Sequence, residues 1–262
     1  MFKYGEKTYI MGILNFTPDS FSDGGNYNSL EKAISHAKEM IESGADIIDL
    51  GGESTRPGHK PVDSDEELRR VLPVVKELKK LNINISIDTY KSIVAEEALK
   101  LGANMINDIW GLRKDPLMAS VIAKYNAYVC IMHNQDGTEY KNDIMSSIKE
   151  FLNESIKIAK EAGIDNDKII IDPGIGFGKT FEQNLEVMSR LDELKDLGYP
   201  ILLGTSRKSM IGNILNLEPK DRVEGTLATT VLGIKSGVDI VRVHDVLENI
   251  RAIKVTDAIC RK

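Results

Sequence analysis

The chain has 262 residues, of which 42% are hydrophobic and 28% are charged, and its formal net charge is −6. These proportions are ordinary for a soluble globular protein, so they exclude wholesale disorder, a collagen-like repeat and a membrane-embedded bundle. The acidic balance argues against a generally basic nucleic-acid surface. No stretch approaches the roughly 20 apolar residues that a membrane span needs. We therefore expect neither nucleic acid nor membrane as a partner.

Cysteine usage favours a reducing compartment. The two cysteines, Cys130 and Cys260, cannot form a disulfide framework or a four-cysteine metal site. Cys130 lies inside an apolar run, which predicts a small buried side chain rather than a nucleophile. The first residues lack the apolar region of a signal peptide. The expected location is the cytoplasm.

Eight short apolar runs alternate with longer amphipathic stretches along the chain. Most runs are rich in isoleucine and valine without strict alternation, which is typical of parallel strands that are buried on both faces. The fourth run is the shortest. In chain order, the predicted strands cover residues 9–14, 47–50, 83–87, 105–106, 128–132, 169–171, 201–203 and 240–243.

Helices are predicted between these strands. Asn28 with Glu31, and Ser64 with Glu67, have the spacing of capping boxes before apolar helical patterns. Glycines stand where helices would end; they are Gly44, Gly102, Gly163, Gly198 and Gly237. Eight strand–helix units without an intervening linker predict a single (β/α)8 barrel domain, a TIM barrel, over residues 1–262.

Polar residues follow nearly every predicted strand. In a barrel the carboxyl ends of the strands converge on the face where active sites lie. Polar residues commonly mark strand ends. Eight such groups beside buried apolar residues are not readily explained in this way, because desolvating them costs free energy unless they have hydrogen-bonding partners. The groups are Asn15, Asp49, Asp88, Asn107, His133, Asp172, Ser206 and the pair Arg242 and His244.

Three segments that follow predicted strands are longer, more polar or richer in glycine than ordinary connecting loops. The first and second loops, residues 15–25 and 51–58, are long and polar, as binding loops or lids often are. Residues 172–180 fit neither a P-loop nor a dinucleotide-binding pattern. Their glycines would let the backbone pass close to a ligand beside Asp172. A carboxylate there can accept two hydrogen bonds from a flat heterocycle that presents N–H and NH2 groups side by side.

The ends of strands seven and eight predict an anion site, because barrel enzymes commonly bind phosphate there. Lys208, Arg242 and His244 supply the cationic or donor groups. Arg242 and His244 are two residues apart on one strand, so their side chains point the same way.

Other candidates remain open on the residues alone. Asp88 and Asn107 could complete a polar ring or cap the helices that follow them. His133 could be catalytic, packed or capping. No cluster has transition-metal spacing, but Mg2+ held mainly by a phosphate needs only one or two protein oxygens.

Together these segments resemble the dihydropteroate synthase family. The motifs TPDSFSDGG, GGESTRPG, DPGIGFGKT and TSRKS carry the resemblance, which runs from the first strand to the last. A small departure is Phe16, where the family more often has a small β-branched residue. The matching segments are residues 15–25, 44–58, 86–91, 106–109, 172–180, 203–212 and 242–245.

The resemblance implies an enzyme that joins 6-hydroxymethyl-7,8-dihydropterin diphosphate to 4-aminobenzoate, forming 7,8-dihydropteroate and pyrophosphate. It implies Mg2+ and a homodimer. On the residues themselves, the last helical region, 248–259 with Ile250, Ile253 and Val255, is a candidate part of the dimer surface. The bond chemistry favours a dissociative substitution, in which Asp88 and Asp172 stabilise a cation and the first two loops exclude water.

The resemblance also implies the site residues. The pterin ring would bind to Asp88, Asn107, Asp172 and Lys208. The diphosphate would bind to Thr55, Arg242 and His244, with Asn15 as the ligand of Mg2+. The aminobenzoate pocket would be bordered by Pro57, Phe177, Lys208 and Ser209. The catalytic set would be Asp88, Asp172 and Lys208, with Asp23 and Arg56 closing over it.

Two other functions are compatible with part of the pattern. A pterin-binding barrel that transfers a methyl group to a corrinoid protein would explain Asp172 and Asn107, but not the Arg242 and His244 pair. A catalytically idle pterin-binding relative would not need all the charged groups. Pyrophosphate release that requires both substrates distinguishes the synthase from both.

Overall fold

The computed structural model describes residues 2–17, 25–53 and 61–261, with the backbone alone for residues 25–28. This part of the chain alternates strands with helices. The strands are β1 (Tyr9–Asn15), β2 (Ile47–Gly51), β3 (Asn84–Asp88), β4 (Met105–Asp108), β5 (Tyr128–Met132), β6 (Ile169–Asp172), β7 (Leu202–Leu203) and β8 (Ile240–Val243). The helices are α1 (Gly25–Glu42), α2 (Ser64–Lys79), α3 (Ser92–Leu101), α4 (Met118–Lys124), α5 (Ile144–Glu161), α6 (Phe181–Ser189), α7 (Ser209–Leu215), α8 (Val223–Lys235) and α9 (Val246–Cys260).

The eight strands form one parallel sheet in the order β6-β5-β4-β3-β2-β1-β8-β7. The two outer strands meet through a single parallel bridge between Ile171 and Ile201. There the amide of Ile171 donates a hydrogen bond of 2.9 Å to the carbonyl of Pro200. The sheet is therefore curled into a barrel with helices outside, and the predicted (β/α)8 class is confirmed. α7 is an additional short helix between β7 and α8.

The strand positions agree with the apolar runs. The fourth run, predicted over two residues, forms the four-residue strand β4. The short strand is instead β7, which has two residues. Across the described residues, no helix combines the length and apolar character needed to cross a bilayer.

The barrel interior has an apolar lower half and a polar upper half. The lower half is filled by a cluster of inward side chains: Tyr9, Met11, Ile47, Met105, Cys130, Ile170, Leu202 and Ile240. Cys130 is fully buried in this cluster, as predicted. Side chains two residues apart on a strand share a face. The residues two positions beyond four of these core residues are Asp49, Asn107, Asp172 and Arg242. The core thus supports a polar layer directly above it.

Both predicted capping boxes are wrong. α1 begins at Gly25, three residues before Asn28. α2 is capped by Asp63, whose side chain accepts from the amide of Glu66, rather than by Ser64. Glu67 is 1% exposed and pairs with Lys91 instead of capping the helix. Sequence spacing cannot distinguish neighbouring capping residues when each has the right chemistry. The glycines predicted at helix ends, Gly44, Gly102, Gly163, Gly198 and Gly237, all have positive φ.

Candidate active site

Arg242 joins two buried carboxylates at the upper end of the barrel. Its Nε donates to Oδ2 of Asp49 at 2.6 Å, and its Nη2 donates to Oδ2 of Asp88 at 2.8 Å. Asp49 also accepts from Nδ2 of Asn107 at 3.3 Å. These four side chains come from β8, β2, β3 and β4. A guanidinium has five N–H groups, so Arg242 keeps three donors beyond these two contacts.

Three buried oxygens in this cluster accept no hydrogen bond from the described residues: Oδ1 of Asp49, Oδ1 of Asp88 and Oδ1 of Asn107. Because Nδ2 of Asn107 faces a carboxylate, its Oδ1 must face the other way as an acceptor. Buried acceptors are costly when they remain unpaired. Those of Asp88 and Asn107 suit a ligand that presents N–H donors.

Charge compensation in the cluster is incomplete. Burial raises the pKa of Asp88 to about 7; Arg242 opposes this shift and Asp49 adds to it. Burial alone would lower the pKa of Arg242, but the carboxylates of Asp49 and Asp88 raise it instead. Arg242 therefore stays charged, while Asp88 changes its charge near neutral pH.

Asp172 and Lys208 form the opposite side of the barrel mouth. Oδ1 of Asp172 accepts from the amide of Gly174 at 2.7 Å, which leaves most of the carboxylate's acceptor capacity unused. Burial raises the pKa of Asp172, although Lys208 opposes the shift. Burial lowers the pKa of Lys208 to about 8, against the attraction of Asp172. A Cβ at Gly204 would lie 3.8 Å from Cβ of Arg242 and 4.0 Å from Nζ of Lys208, so both cationic side chains border this glycine.

Phe177 and Ser209 lie beside Lys208. The ammonium of Lys208 stands 4.8 Å from the ring centroid of Phe177 and donates to the carbonyl of Ile175. Ser209 is exposed at the first turn of α7. The aromatic ring and the cation could together receive a flat anionic ring such as a benzoate.

His244 is oriented by Ser206. Oγ of Ser206 accepts from the backbone amide of His244 at 3.1 Å and lies 3.0 Å from its Nδ1. If Nδ1 accepts the hydroxyl proton, the neutral ring must carry its own proton on Nε2; a charged ring carries one there as well. In both states Nε2 is a donor, which suits an anion.

Asn15 ends β1 on the same side. Its Oδ1 would lie 3.5 Å from a Cβ at Gly51, and that Cβ would lie 3.7 Å from Cβ of Asp88. Among the described residues there is no group of three or more His, Cys, Asp or Glu side chains that could hold a metal. A single amide oxygen fits Mg2+ only when a phosphate supplies most of the other ligands.

The structure therefore brings together the predicted residues of the strand ends, but not all of the predicted site. Asp88 and Asn107 take part in the cluster around Arg242 instead of capping α3 or α4. The first amide of α3, that of Ser92, donates to Asp115 instead. His133 is a packed histidine, 2% exposed. Four predicted residues lie outside the described ones: Asp23, Thr55, Arg56 and Pro57.

Three side chains with contacts at the site, Asp49, Ser206 and Lys179, have no specific role that follows from the sequence alone. Asp49 is among the polar groups at the strand ends, and strand alternation places it inward because it follows the inward Ile47 by two residues, but no local signal indicates its contact with Arg242. Ser206 was recognised only as a strand end, and nothing in its neighbourhood in the chain indicates that it contacts His244. Lys179 belongs to the quoted motif but was assigned no contact.

The glycines after β6 are needed mainly for contacts within the protein. Gly174 has φ 70°, and a Cβ there would lie 1.9 Å from the carbonyl oxygen of His133. A Cβ at Gly178 would lie 2.6 Å from the side chain of Gln135. These glycines were predicted to allow close approach of a ligand; at Gly174 and Gly178 the close neighbour is the segment after β5.

Gly174→Ala should destabilise the fold by about 3 kcal/mol, because a left-handed backbone costs about 1–2 kcal/mol and the clash adds a similar amount. Gly163→Ala is the matched control, since Gly163 has φ 89° with nothing within 4 Å of its added Cβ. It should lose only about 1–2 kcal/mol. Urea unfolding measures both free energies; equal losses would contradict the clash.

Comparison with known proteins identifies the class of protein to which the chain belongs. The family model described as "Pterin binding enzyme" matches residues 11–244. This match runs from the third residue of β1 to just beyond β8. The chain is therefore a member of the pterin-binding enzymes.

Similar proteins narrow this class. The chain is 63% identical to the dihydropteroate synthase of Clostridium beijerinckii, covering 100% of this chain and 97% of that protein. It is 57% identical to that of Bacillus subtilis, covering 99% and 91%. A crystal structure of dihydropteroate synthase from Clostridium difficile in the presence of pteroic acid has a TM-score of 0.99 and 71% identity, covering 100% of both chains. The chain belongs to the dihydropteroate synthase family.

Proposed function

We propose that the protein condenses 6-hydroxymethyl-7,8-dihydropterin diphosphate with 4-aminobenzoate, giving 7,8-dihydropteroate and pyrophosphate. The observation that carries this proposal is the arrangement around Arg242. Its spare donors and Nε2 of His244 serve an anion at the end of β8, while Asp88 and Asn107 offer buried acceptors to a neighbouring heterocycle. A ligand that combines an N–H-rich ring with a diphosphate would bind to both the buried acceptors and the anion-binding donors.

The pterin ring would lie between the two sides of the barrel mouth. The Asp172 carboxylate accepts the ring N–H and the adjacent amino group as a pair, as it would from an arginine fork. Oδ1 of Asn107, fixed by the contact of its Nδ2 with Asp49, accepts a further donor. Lys208 donates to a ring acceptor while retaining its contact with Ile175.

Bond cleavage would leave the electron pair of the carbon–oxygen bond on pyrophosphate. Arg242, His244 and Thr55 receive the developing negative charge. Mg2+ held by Asn15 and the diphosphate would supply further charge neutralisation when it is bound. The methylene cation is delocalised into the ring and stabilised by Asp88 and Asp172.

The arylamine nitrogen then forms the new carbon–nitrogen bond with its own lone pair and loses a proton to solvent. A neutral aniline needs no serine or cysteine nucleophile, and Cys130 is unsuitable because burial raises the pKa of its thiol. Phe177 and Ser209 border the incoming ring, with Lys208 above Phe177. The family resemblance adds Pro57 to this border. Asp23 and Arg56 would exclude water from the cation.

A pyrophosphate-release assay tests this function. The purified protein should release pyrophosphate only when both the pterin diphosphate and 4-aminobenzoate are present with Mg2+. Release without the arylamine would indicate a hydrolase. No release under any condition would indicate a binding protein, and omission of Mg2+ with no loss of rate would remove the metal from the proposal.

The pH dependence should follow Asp88. Its pKa is about 7, and a carboxylate must be ionised to stabilise a cation, so kcat/KM should fall below about pH 7. The charged groups acting on Asp88 include Arg242, Asp49, Glu67 and Asp108, and Lys208 also interacts with it. The charge of Asp49 raises this pKa, so Asp49→Asn should shift the acid limb to lower pH while lowering the plateau. A shift of the acid limb to higher pH in Asp49→Asn would contradict its assignment to Asp88. Because the substrates titrate identically with the wild type and the variant, they cannot cause a difference between the two profiles.

We also propose that the active protein is a cytoplasmic homodimer. Of the eleven large apolar side chains that are exposed in the described part of the chain, eight lie between residues 214 and 259, on α7 to α9 and the turn after α7. Within the predicted 248–259 region, Val255 is 62% exposed, whereas Ile253 is 1% exposed and Ile250 packs against the core. Ile253 is therefore wrong as a dimer contact, whereas Ile250, which is partly exposed, and Val255 stay predictions. The exposed Cys260 and buried Cys130 are both free, which suits a reducing compartment.

Light scattering should give twice the chain mass of 29.1 kDa for the wild type. Leu232→Asp should weaken the dimer by at least about tenfold in dissociation constant, because it places a charge in an apolar interface. Leu117→Asp is the control, since Leu117 is 61% exposed on another part of the barrel and Leu232 is 58% exposed. A monomeric wild type, or equal effects of both variants, would refute this surface.

A further inference from the structure

Lys179 is a buried cation that the proposed reaction does not use. It is 9% exposed and follows β6. Its Nζ lies 2.9 Å from Nδ1 of His133 and donates to the carbonyls of Gly174 and Phe177 at 3.0 Å each. An ammonium has three donors and no acceptor. These three partners satisfy it completely, so Lys179 has no free donor for a substrate.

The contacts of Lys179 join two parts of the barrel rim. His133 follows β5, whereas Gly174 and Phe177 belong to the β6–α6 loop, residues 173–180. His133 is itself held between the rings of Tyr140 and Phe151, with centroid separations of 6.0 and 5.0 Å. The same segment makes a second contact with the loop, because the Tyr140 hydroxyl donates to the carbonyl of Gly178 at 2.8 Å.

The β6–α6 loop carries groups on both substrate sides of the proposed site. Asp172 precedes it, and the amide of Gly174 donates to that carboxylate. The carbonyl of Ile175 accepts from Lys208. The ring of Phe177 lies under the Lys208 ammonium. A change in the backbone of this loop would therefore displace the pterin side and the aminobenzoate side together.

The pair also has consistent electrostatics. Burial and Lys179 lower the pKa of His133 to about 3, so the imidazole is neutral and can accept at Nδ1. Burial lowers the pKa of Lys179 to about 7, opposed by Asp172. If Lys179 loses its proton, its lone pair can accept from the other tautomer of His133, so the contact persists in both states. When charged, Lys179 favours the ionised form of Asp172.

We propose that Lys179 and His133 form a positioning pair that holds the β6–α6 loop in the conformation that binds both substrates, without contacting either substrate. Where substrates are concerned, this inference rests on the proposed function. Its structural part, the ordering of the loop by the pair, is independent of that function.

Hydrogen exchange tests the structural part. The amides of Gly174, Gly176 and Phe177 each donate a hydrogen bond, to Asp172, Asn184 and Gly174 respectively. Lys179→Met keeps the length and apolar stem but removes all three donors. These amides should exchange at least about tenfold faster in the variant, since local opening costs less when holding contacts are lost.

Lys168→Met is the matched control. Lys168 also donates from Nζ to a backbone carbonyl, that of Asn126 at 2.8 Å. It lies just before the amino end of β6, at the opposite end of the barrel. This variant should leave exchange of the loop amides and both KM values unchanged, even if it lowers the melting temperature.

Kinetics test the functional part. Lys179→Met should raise the KM values for both substrates, the pterin diphosphate and the aminobenzoate, by about tenfold each, because small displacements of binding groups are costly. His133→Phe retains the aromatic packing but removes the Nδ1 partner, and its effects should have the same direction and be smaller. In a double-mutant cycle, adding His133→Phe to Lys179→Met should change the KM values by much less than His133→Phe alone.

The outcomes separate the two proposals. Unchanged exchange of the loop amides in folded Lys179→Met would overturn the positioning pair, whether or not the wild type is active. Faster exchange with unchanged KM values would also overturn its role in binding. If Lys179→Met does not fold, His133→Phe and Lys179→Gln replace it in the test. Wild-type KM values in both variants, or fully additive effects on KM when the two substitutions are combined, would overturn the positioning pair. An inactive wild type would refute the function alone.

Discussion

Arg242→Met should reduce kcat/KM for the pterin diphosphate by at least about a thousandfold. The substitution removes the donors proposed for the leaving group, and one lost oxyanion donor typically costs about a hundred- to a thousandfold. It also leaves Asp49 and Asp88, which are 0% and 3% exposed, without their shared counterion. Breaking a buried pair in this way costs about 3–5 kcal/mol. Pyrophosphate release and urea unfolding measure the two effects.

The two roles of Arg242 can be separated with a second variant. Arg242→Met combined with Asp49→Asn removes one of the uncompensated charges, so it should regain part of the lost stability without regaining activity. Arg261→Met is the control for losing a buried arginine: Arg261 pairs with Asp257 and Asp239 beside the amino ends of the strands. Its stability should fall while kcat/KM stays within a few-fold of the wild type. Near-normal activity of Arg242→Met would remove Arg242 from the anion site.

Asp172→Asn should weaken binding of the pterin diphosphate by about a thousandfold. The amide keeps the shape of the carboxylate but replaces one acceptor oxygen with a donor NH2, which would face the N–H groups of the pterin. Each hydrogen bond to a charged group contributes about 1.5–3 kcal/mol, and two are affected. Isothermal titration calorimetry with the pterin diphosphate measures the affinity directly.

Asp108→Asn is the matched control for this loss of charge. Asp108 is also buried at the end of a strand, but it accepts from the amides of Trp110 and Leu112 in its own turn. Burial raises the pKa of Asp108 to about 6. The variant should lower stability and leave pterin affinity within a few-fold of the wild type. Equal losses of affinity in both variants would show that buried charge in general, and not Asp172, controls binding.

The positions of the strand ends were predictable because two general rules of parallel β-sheet structure act together. Buried parallel strands require apolar runs, and barrel geometry collects their carboxyl ends on one face. Asp172, Asn107, Arg242 and Lys208 could be placed at the site from these rules. The number of domains remains a prediction, as do the roles of Asp23, Thr55, Arg56 and Pro57.

Contacts between distant segments were not predictable. The Asp49–Arg242 contact joins residues 193 positions apart, and its geometry depends on the barrel's closure rather than on local sequence. The Ser206–His244 and Lys179–His133 contacts have the same character. The choice of helix caps failed for a different reason, since Asp63 and Ser64 are adjacent residues with similar capping ability. Long-range polar contacts need the folded geometry before they can be assigned.

The single bridge that closes the barrel has a thermodynamic consequence. It joins Ile171 and Ile201. Ile171 directly precedes Asp172 at the end of β6, and Ile201 directly precedes β7, the strand that leads to Lys208. A pterin bound by both of these side chains, as proposed above, would span this junction. Its binding free energy therefore opposes separation of β6 from β7, and occupancy should raise the stability of the whole barrel as ligand concentration exceeds the dissociation constant. Substrate affinity and resistance to unfolding are thereby linked at one junction of the sheet.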